Sequence, residues 1–172
     1  MRAAILGNSG SGKSTLARWM ASQADARLLD LDTVAWEPDK IAVPRSSPAA
    51  SADVRQFCQS NANWIVEGCY ASLVEVALQH RPRLIFMNPG EAQCLENCRA
   101  RPWEPHKYKS KSEQDERLSM LLAWVSEYYS RSGDMSLAGH RGCFARYAGP
   151  KVELTAVPVM QPPAPELLAC LD

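Results

Sequence analysis

The strongest constraint on this chain is a short apolar run that leads directly into a glycine-rich loop. Residues 3–6 (AAIL) read as a buried strand, and residues 7–14 (GNSGSGKS) have the form G-x-x-x-x-G-K-[ST] at every fixed position. Beyond the loop, apolar residues recur at the spacing of an amphipathic helix: Leu16, Ala17, Met20 and Ala21. The stretch therefore predicts a strand, a loop and a helix in succession, and this context makes the loop motif specific.

The residue types of this loop suit the phosphates of a nucleotide. Glycines let the backbone approach a phosphate closely, and successive amide N–H groups in front of a helix form an anion nest. Lys13 would reach the outer phosphates, and the Ser14 hydroxyl would be a ligand to Mg²⁺. The residues that we predict to bind the nucleotide are Gly7, Asn8, Ser9, Gly10, Ser11, Gly12, Lys13, Ser14 and Thr15.

Composition narrows the classes of partner that this chain can have. The 172 residues fit one domain, and 19 basic side chains balance 19 acidic ones, so no global charge favours nucleic acid or a membrane surface. No apolar run approaches the roughly 20 residues that span a bilayer, and the N-terminal run is too short for a secretory signal. We therefore expect a cytoplasmic protein whose six cysteines stay reduced, with Cys94 and Cys98 as packed thiols rather than a metal site.

Hydrophobic periodicity predicts alternating strands and helices after the first helix. The predicted strands are residues 27–32, 64–68, 83–89 and 151–155. The predicted helices are residues 53–61, 72–79, 91–100, 113–129 and a short one within 136–147, whereas residues 37–51 read as a loop. Ser72 and Glu75 have the spacing of a capping box. This alternation predicts a single parallel sheet that is covered on both faces.

Several polar residues follow the predicted strands at the edge where such sheets bind ligands. Asp30 and Asp32 end the second strand, Glu67 ends the third, and Asn88 ends the fourth. A carboxylate at this edge could take a proton from an acceptor hydroxyl, position that hydroxyl, or hold Mg²⁺ through water. We predict Asp32 as the catalytic carboxylate and keep Asp30 as the alternative.

A basic segment follows the predicted fourth strand and its helix. Five cations stand against one acid, Glu104, between residues 99 and 111: Arg99, Arg101, Lys107, Lys109 and Lys111. Phosphoryl transfer spreads negative charge over the moving group, so cations that close over it would stabilise it and exclude water. We predict a lid over residues 99–112, with Arg99 and Arg101 joining Lys13 and Asp32 as catalytic residues.

Together these motifs resemble the small P-loop kinases of the nucleoside-monophosphate and shikimate kinase type. Residues 31–38 (LDTVAWEP) and 64–70 (WIVEGCY) are similar to patterns of the bacterial adenylate-kinase-related, or DNA topology modulation, proteins. The resemblance implies an α/β, three-layer P-loop NTPase fold with a five-stranded parallel sheet of order 2-3-1-4-5, a lid after the fourth strand, and ATP as donor. It also implies an acceptor-facing Asp32 and an adenine-flanking loop near Val157.

We therefore predict a single P-loop kinase domain over residues 1–172, with a Pro-rich C-terminal segment at 157–172. Its expected activity is ATP- and Mg²⁺-dependent transfer of the γ-phosphate to a hydroxyl or phosphate of a small molecule. Two departures from the resemblance stand out. Asn88 replaces the Asp of many relatives, and the region of residues 38–51 has no recognisable set of monophosphate-binding arginines apart from Arg45 and Arg55.

Three alternatives remain open. One is a nucleoside or nucleotide kinase of the same fold. The second is a nucleotide-binding regulatory module with little acceptor-dependent turnover. The third is a nucleic-acid-binding role, in which affinity would fall steeply with salt. No module that reads nucleic acid is present in the sequence, and no heptad run indicates an oligomeric state.

Overall fold

The computed structural model describes residues 1–37, 43–103, 109–161 and 163. Its strands are β1 (Arg2–Gly7), β2 (Arg27–Asp30), β3 (Trp64–Gly68), β4 (Arg83–Met87) and β5 (Lys151–Leu154). Its helices are α1 (Lys13–Ala24), α2 (Asp32–Ala35), α3 (Ser47–Ser60), α4 (Ala71–Leu78), α5 (Glu91–Arg99), α6 (Lys111–Glu116), α7 (Leu118–Glu127) and α8 (Leu137–Arg146).

All five strands are parallel and form one sheet in the order β2-β3-β1-β4-β5. Parallel neighbours need a crossover connection, and the helices between the strands supply it. The register places Asp30 beside Glu67, and Leu6 beside Gly68, so the carboxyl ends of the first three strands share one edge. The predicted fold class and the strand order that the resemblance implies are confirmed.

The two faces of the sheet are buried by different helices. Alternate residues of β1 point to opposite faces because side chains in a strand alternate with a period of two. Ala3 and Ile5 pack with Leu16 and Met20 of α1. The opposite face packs against residues of α3, α4 and α8: Ala50, Val54, Cys58, Leu73, Val74, Ala77, Leu78 and Cys143. The strands nearest the centre are therefore continuously apolar, as strands buried on both faces must be.

A third and smaller cluster joins α5 to α7 near the glycine-rich loop. Cys94, Cys98 and Val125 are buried there against leucines of both helices. Cys94 and Cys98 are thus packed thiols, as the sequence predicts. Among the described residues, no helix has both the length and the apolar character that a membrane span requires.

Several predicted boundaries differ from the structure. The second strand ends at Asp30, and Asp32 begins the short helix α2 instead. Helix α3 begins inside the predicted loop, since Pro48 in its first turn fits a helix start. The predicted helix 113–129 divides at Arg117, whose backbone (φ −87°, ψ −6°) separates α6 from α7. The capping box is wrong, because α4 begins before Ser72, whose hydroxyl donates to Asp134 instead.

Candidate active site

A cavity of about 630 Å³ opens at the carboxyl ends of β1, β2 and β3. Predicted site residues that line it are Ser9, Gly10, Gly12, Lys13, Ser14, Thr15, Asp32 and Arg101. Gly7, Asn8 and Ser11 are buried and do not line this cavity. Arg99 is exposed at the end of α5 and is not part of the cavity wall. Most of the predicted residues therefore converge on one site.

The glycine-rich loop owes its shape to backbone conformations that only glycine adopts without strain. Gly10 and Gly12 have φ values of 76° and 93°, which side chains rarely adopt. A Cβ atom at Gly10 would also collide with the carbonyl oxygen of Cys94 in α5. The loop therefore turns tightly between β1 and α1 while α5 packs directly behind it.

Side chains from three elements hold this loop in place. Lys13 is 8% exposed, and its Nζ donates to the Asn8 carbonyl across the loop at 2.9 Å. The Asn8 amide donates to the Val125 carbonyl of α7 at 3.0 Å, and the Asn97 amide of α5 donates to the Gly10 carbonyl at 2.8 Å. The loop is thus fixed between the sheet and the α5–α7 pair, with its lysine directed along it.

Glu67 is a site residue to which the sequence analysis assigned no role beyond its place at the sheet edge. It ends β3, is 3% exposed, and its Oε1 accepts a hydrogen bond from the Ser14 hydroxyl at 2.6 Å. Burial raises the pKa of Glu67, the nearby Lys13 charge lowers it, and the Asp30 charge raises it. The sequence does contain a signal for Glu67, which is an acid at the end of an otherwise apolar strand. Burial of a carboxylate is costly unless it has a counter-charge or hydrogen-bond donors, so such an acid indicates a functional position.

Asp32 lines the same cavity and belongs to an array of hydrogen bonds. The Tyr70 hydroxyl donates to Asp32 Oδ1 at 2.8 Å, and the Trp36 indole N–H donates to the Tyr70 oxygen at 2.7 Å. Asp30 accepts the backbone N–H of Asp32 at 2.9 Å and so helps to start α2. Of the two candidate acids, Asp32 is the one that Tyr70 orients through its side chain.

The predicted lid lies partly outside the described residues, which omit 104–108. Within the described part, Arg101 and Pro102 line the cavity, and an Arg101 guanidinium nitrogen lies 3.9 Å from the Cys98 sulfur. Val157 also lines the cavity and lies against Gly12, at the place implied for the loop that flanks the base. Most of the segment 157–172 is likewise outside the described residues. The lid and this C-terminal segment stay predictions.

Two other residues near this edge have roles that the sequence does not reveal. The Asn88 amide donates to Glu153 of β5 at 2.8 Å, so its side chain links strands rather than lining the cavity. Cys69 lines the cavity, but burial raises its pKa to about 11, so its thiol stays protonated near neutral pH.

Within residues 1–37, 43–103 and 109–161, no three His, Cys, Asp or Glu side chains form a metal-binding group of their own.

The chain is similar in fold to several solved structures. Neither a protein-family model nor a curated protein matches the sequence. Among solved structures, a gluconokinase from Sinorhizobium meliloti 1021 matches with a TM-score of 0.58 at 16% identity, over 99% of this chain and 90% of that one.

Two shikimate kinases are also similar. The enzyme from Aquifex aeolicus vf5 matches with a TM-score of 0.55 at 12% identity, over 99% of this chain and 96% of that one. The enzyme from Bacteroides thetaiotaomicron matches with a TM-score of 0.51 at 13% identity, over 99% and 94%. The chain therefore has the five-stranded parallel fold of the P-loop kinases.

Proposed function

We propose that this chain is an ATP- and Mg²⁺-dependent kinase that transfers the γ-phosphate to a small molecule. The observation that carries the proposal is the 2.6 Å contact between Ser14 and Glu67, with Lys13 beside it and Asp32 on the same cavity wall. A hydroxyl and a carboxylate at these places in a P-loop fold are the groups that hold Mg²⁺ in P-loop NTPases. The gluconokinase and shikimate kinase neighbours support a small-molecule acceptor.

The residues present fit a nucleotide and its metal ion. The positive φ values of Gly10 and Gly12 allow successive loop amides to face one anion, and α1 begins directly behind them. Ser14 and Glu67 offer the hard oxygen ligands that Mg²⁺ prefers, and neither is blocked from the cavity. When bound, Mg²⁺ would supply positive charge that offsets the negative charge of the transferred phosphoryl group.

Each residue of the site then has a distinct task. Lys13 would move from the Asn8 carbonyl to the outer phosphates, a short displacement of a flexible ammonium group. Asp32 would orient the acceptor, and Arg101 would contribute charge near the transferred group. Catalysis would consist of positioning and electrostatic stabilisation, which is what this class of reaction requires.

The proposal includes three parts that the sequence analysis predicts. The chain would be a single kinase domain, and residues 99–112 would close over the site as a lid that brings in Arg99. The resemblance to the adenylate-kinase-related group would make this chain a relative of that group within the P-loop kinases. The Asp32 carboxylate in the same cavity favours the kinase over the alternative of a regulatory module, which would need only nucleotide binding.

The decisive experiment measures ADP release from ATP and Mg²⁺ with and without a panel of hydroxylated metabolites and nucleoside monophosphates. We expect one acceptor to stimulate turnover, and Lys13→Ala to reduce it by at least a hundredfold because a charge that meets the transferred phosphate is lost. Arg146→Ala, which removes an exposed cation bound to Glu75, is the matched control and should retain turnover.

Circular dichroism and thermal melting would show that Lys13→Ala is folded. Nucleotide binding without stimulation by any acceptor would contradict the kinase and favour the regulatory module. Equal turnover by Lys13→Ala and the unmodified chain would contradict the assigned mechanism.

A further inference from the structure

Trp36, Tyr70 and Asp32 form a directed chain of hydrogen bonds that ends in the cavity. The first bond runs from the Trp36 indole N–H to the Tyr70 oxygen at 2.7 Å. The second runs from the Tyr70 hydroxyl to Asp32 Oδ1 at 2.8 Å. Tyr70 is 8% exposed and stands just before α4, two residues after β3 ends. The array thus joins the wall that carries Asp32 to the strand that carries Glu67.

The direction of both bonds follows from the chemistry of the groups. An indole nitrogen can only donate, so the Tyr70 oxygen must accept from Trp36. A phenol has one proton, and Tyr70 is therefore left to donate that proton to Asp32. Burial, reinforced by the negative charge of Asp32, raises the pKa of Tyr70 well above its usual range. The proton stays on Tyr70 at physiological pH, and Asp32 Oδ1 is held as an acceptor.

The Trp36 side chain is itself held in place by its surroundings. The backbone of Trp36 forms an antiparallel bridge with Pro44, and Glu37 N–H donates to the Val43 carbonyl at 2.9 Å. These contacts fix the short segment after α2 against the start of α3. Trp36 therefore orients Tyr70, and Tyr70 orients Asp32.

We propose that Tyr70, oriented by Trp36, is a positioning residue that aims Asp32 at a hydroxyl of the acceptor. This inference rests on the proposed function. An acceptor O–H would meet the Asp32 carboxylate that Tyr70 orients. The proton would pass to this carboxylate as the acceptor oxygen forms its bond to the γ-phosphorus, and the bond from that phosphorus to the bridging oxygen would break to release ADP.

This geometry selects an alcohol over a phosphate as the acceptor. A carboxylate held as a hydrogen-bond acceptor attracts a group that carries a proton and repels a phosphate. The arginines that the sequence offers for a monophosphate on this side are Arg45 and Arg55. Neither lines the cavity, and Arg45 already donates to Asp53 at 2.5 Å and to the Val34 carbonyl at 3.2 Å. The acceptor class is therefore a polyol, a sugar or a hydroxy acid.

The kinetic test compares Tyr70→Phe with Tyr147→Phe. The first removes only the hydroxyl that binds Asp32, and the second removes a hydroxyl that binds the Pro82 carbonyl away from the cavity. We expect Tyr70→Phe to lower kcat with a hydroxyl acceptor by about tenfold or more, the size of a lost hydrogen bond to a charged group, and to leave the KM for ATP within about twofold. Tyr147→Phe should match the unmodified chain in both constants.

A double-mutant comparison separates positioning from general stability. In an Asp32→Ala background, Tyr70→Phe should cause no further loss of kcat, because the group that it positions is gone. Gluconate, shikimate and glycerol serve as hydroxyl probes, and AMP and CMP as phosphate probes. Additive losses in the double variant, or a monophosphate that is the preferred acceptor, would overturn the inference.

A measurement without turnover separates this inference from the proposed function. The indole N–H resonance of Trp36, assigned with Trp36→Phe, should move in both Tyr70→Phe and Asp32→Ala, since both lie on one chain of hydrogen bonds. If the resonance moves and no acceptor is phosphorylated, the proposed function fails and the positioning role fails with it. If an acceptor is phosphorylated and Tyr70→Phe keeps full kcat, only the positioning role fails.

Discussion

Glu67 combines a cost to the fold with a place in the candidate active site. Its carboxylate is almost fully buried, and the Ser14 hydroxyl at 2.6 Å only partly replaces the water that burial removes. Glutamate is rarely enclosed to this extent without a charged or metallic counterpart. The proposed magnesium ion would supply that counterpart, which explains why the strand ends in an acid rather than in another apolar residue.

Glu67→Gln should stabilise the fold and abolish the proposed activity. The amide still accepts the Ser14 hydrogen bond but carries no charge that burial disfavours, so the melting temperature at pH 7 should rise by a few degrees. Because burial raises the pKa of Glu67, the destabilisation by its charge is present at neutral pH and disappears on acidification toward its ordinary range. The gain in stability should therefore shrink as the pH is lowered.

Calorimetry at several pH values and an assay of Mg²⁺-dependent ADP release would check both effects. Glu75→Gln, which alters an acid that binds Arg146 at the surface, is the matched control and should change neither quantity by much. Retained activity in Glu67→Gln would contradict its assigned role at the metal ion.

The residues that the sequence predicted best are those whose chemistry is local. The loop from Gly7 to Ser14 is contiguous, so its motif carries the geometry with it. Glu67 and Tyr70 meet Ser14 and Asp32 only because the sheet order places β3 between β2 and β1. Contacts between residues 38 and 53 positions apart have no signature in a single sequence.

At the scale of elements, a buried histidine joins α8 to α7 and to the end of β3. His140 is fully buried, with its Nε2 2.9 Å from the Cys69 carbonyl and its Nδ1 2.9 Å from the Tyr128 hydroxyl. A carbonyl can only accept, so Nε2 carries the proton and Nδ1 accepts from Tyr128. The neutral imidazole therefore satisfies both neighbours without any charge.

Stability should fall as the pH is lowered from about 6.5 to about 4. Burial lowers the pKa of His140 to about 4, so the unfolded chain takes up a proton in this range before the folded chain does. Through this effect of His140, the free energy of unfolding should fall by up to roughly 3 kcal/mol. Urea denaturation at pH 7 and pH 4.5 would measure it.

In His140→Gln, the free energy of unfolding should differ much less between the two pH values than it does in the unmodified chain. In the control His80→Gln, the difference should remain. An identical decline in His140→Gln and the unmodified chain would show that other groups cause it.

Element boundaries were harder to predict than the elements themselves. Helix α4 begins one residue before Ser72 because Asp134, far along the chain, accepts the Ser72 hydroxyl and backbone N–H. The predicted cap was chemically sound, but a tertiary contact took its place. Strand β2 ends early for a related reason, since Asp30 accepts the N–H of Asp32 and turns the chain into α2.

For the whole molecule, the glycine-rich loop is the point where the sheet meets the α5–α7 pair. Asn97 of α5 binds the Gly10 carbonyl at 2.8 Å, and Asn8 of the loop binds the Val125 carbonyl of α7 at 3.0 Å. Two amide groups thus connect the loop to the helices that precede and follow the predicted lid. Any movement of that helix pair is transmitted to the groups that would hold the phosphates.

Asn97→Ala should weaken nucleotide binding by about three- to tenfold, because the Gly10 carbonyl loses its donor and the loop loses its support from α5. Titration calorimetry with Mg²⁺ and ATP would measure the change in Kd. Asn61→Ala, which removes an amide bonded to Phe57 at the end of α3, is the matched control and should bind nucleotide as the unmodified chain does. Equal affinities in all three proteins would show that the loop keeps its shape without α5.

The strand order also has a consequence for the order in which a ribosome would deliver the site. Strands β2, β3 and β1 are neighbours, so the first 70 residues could bring together Lys13, Asp32, Glu67 and Tyr70 before β4 has emerged from the ribosome. The two amide clamps on the loop need α5 and α7, which emerge later. During translation, the side chains proposed for catalysis would thus assemble first. The helices α5 and α7, which hold the glycine-rich loop, would pack against it only afterwards.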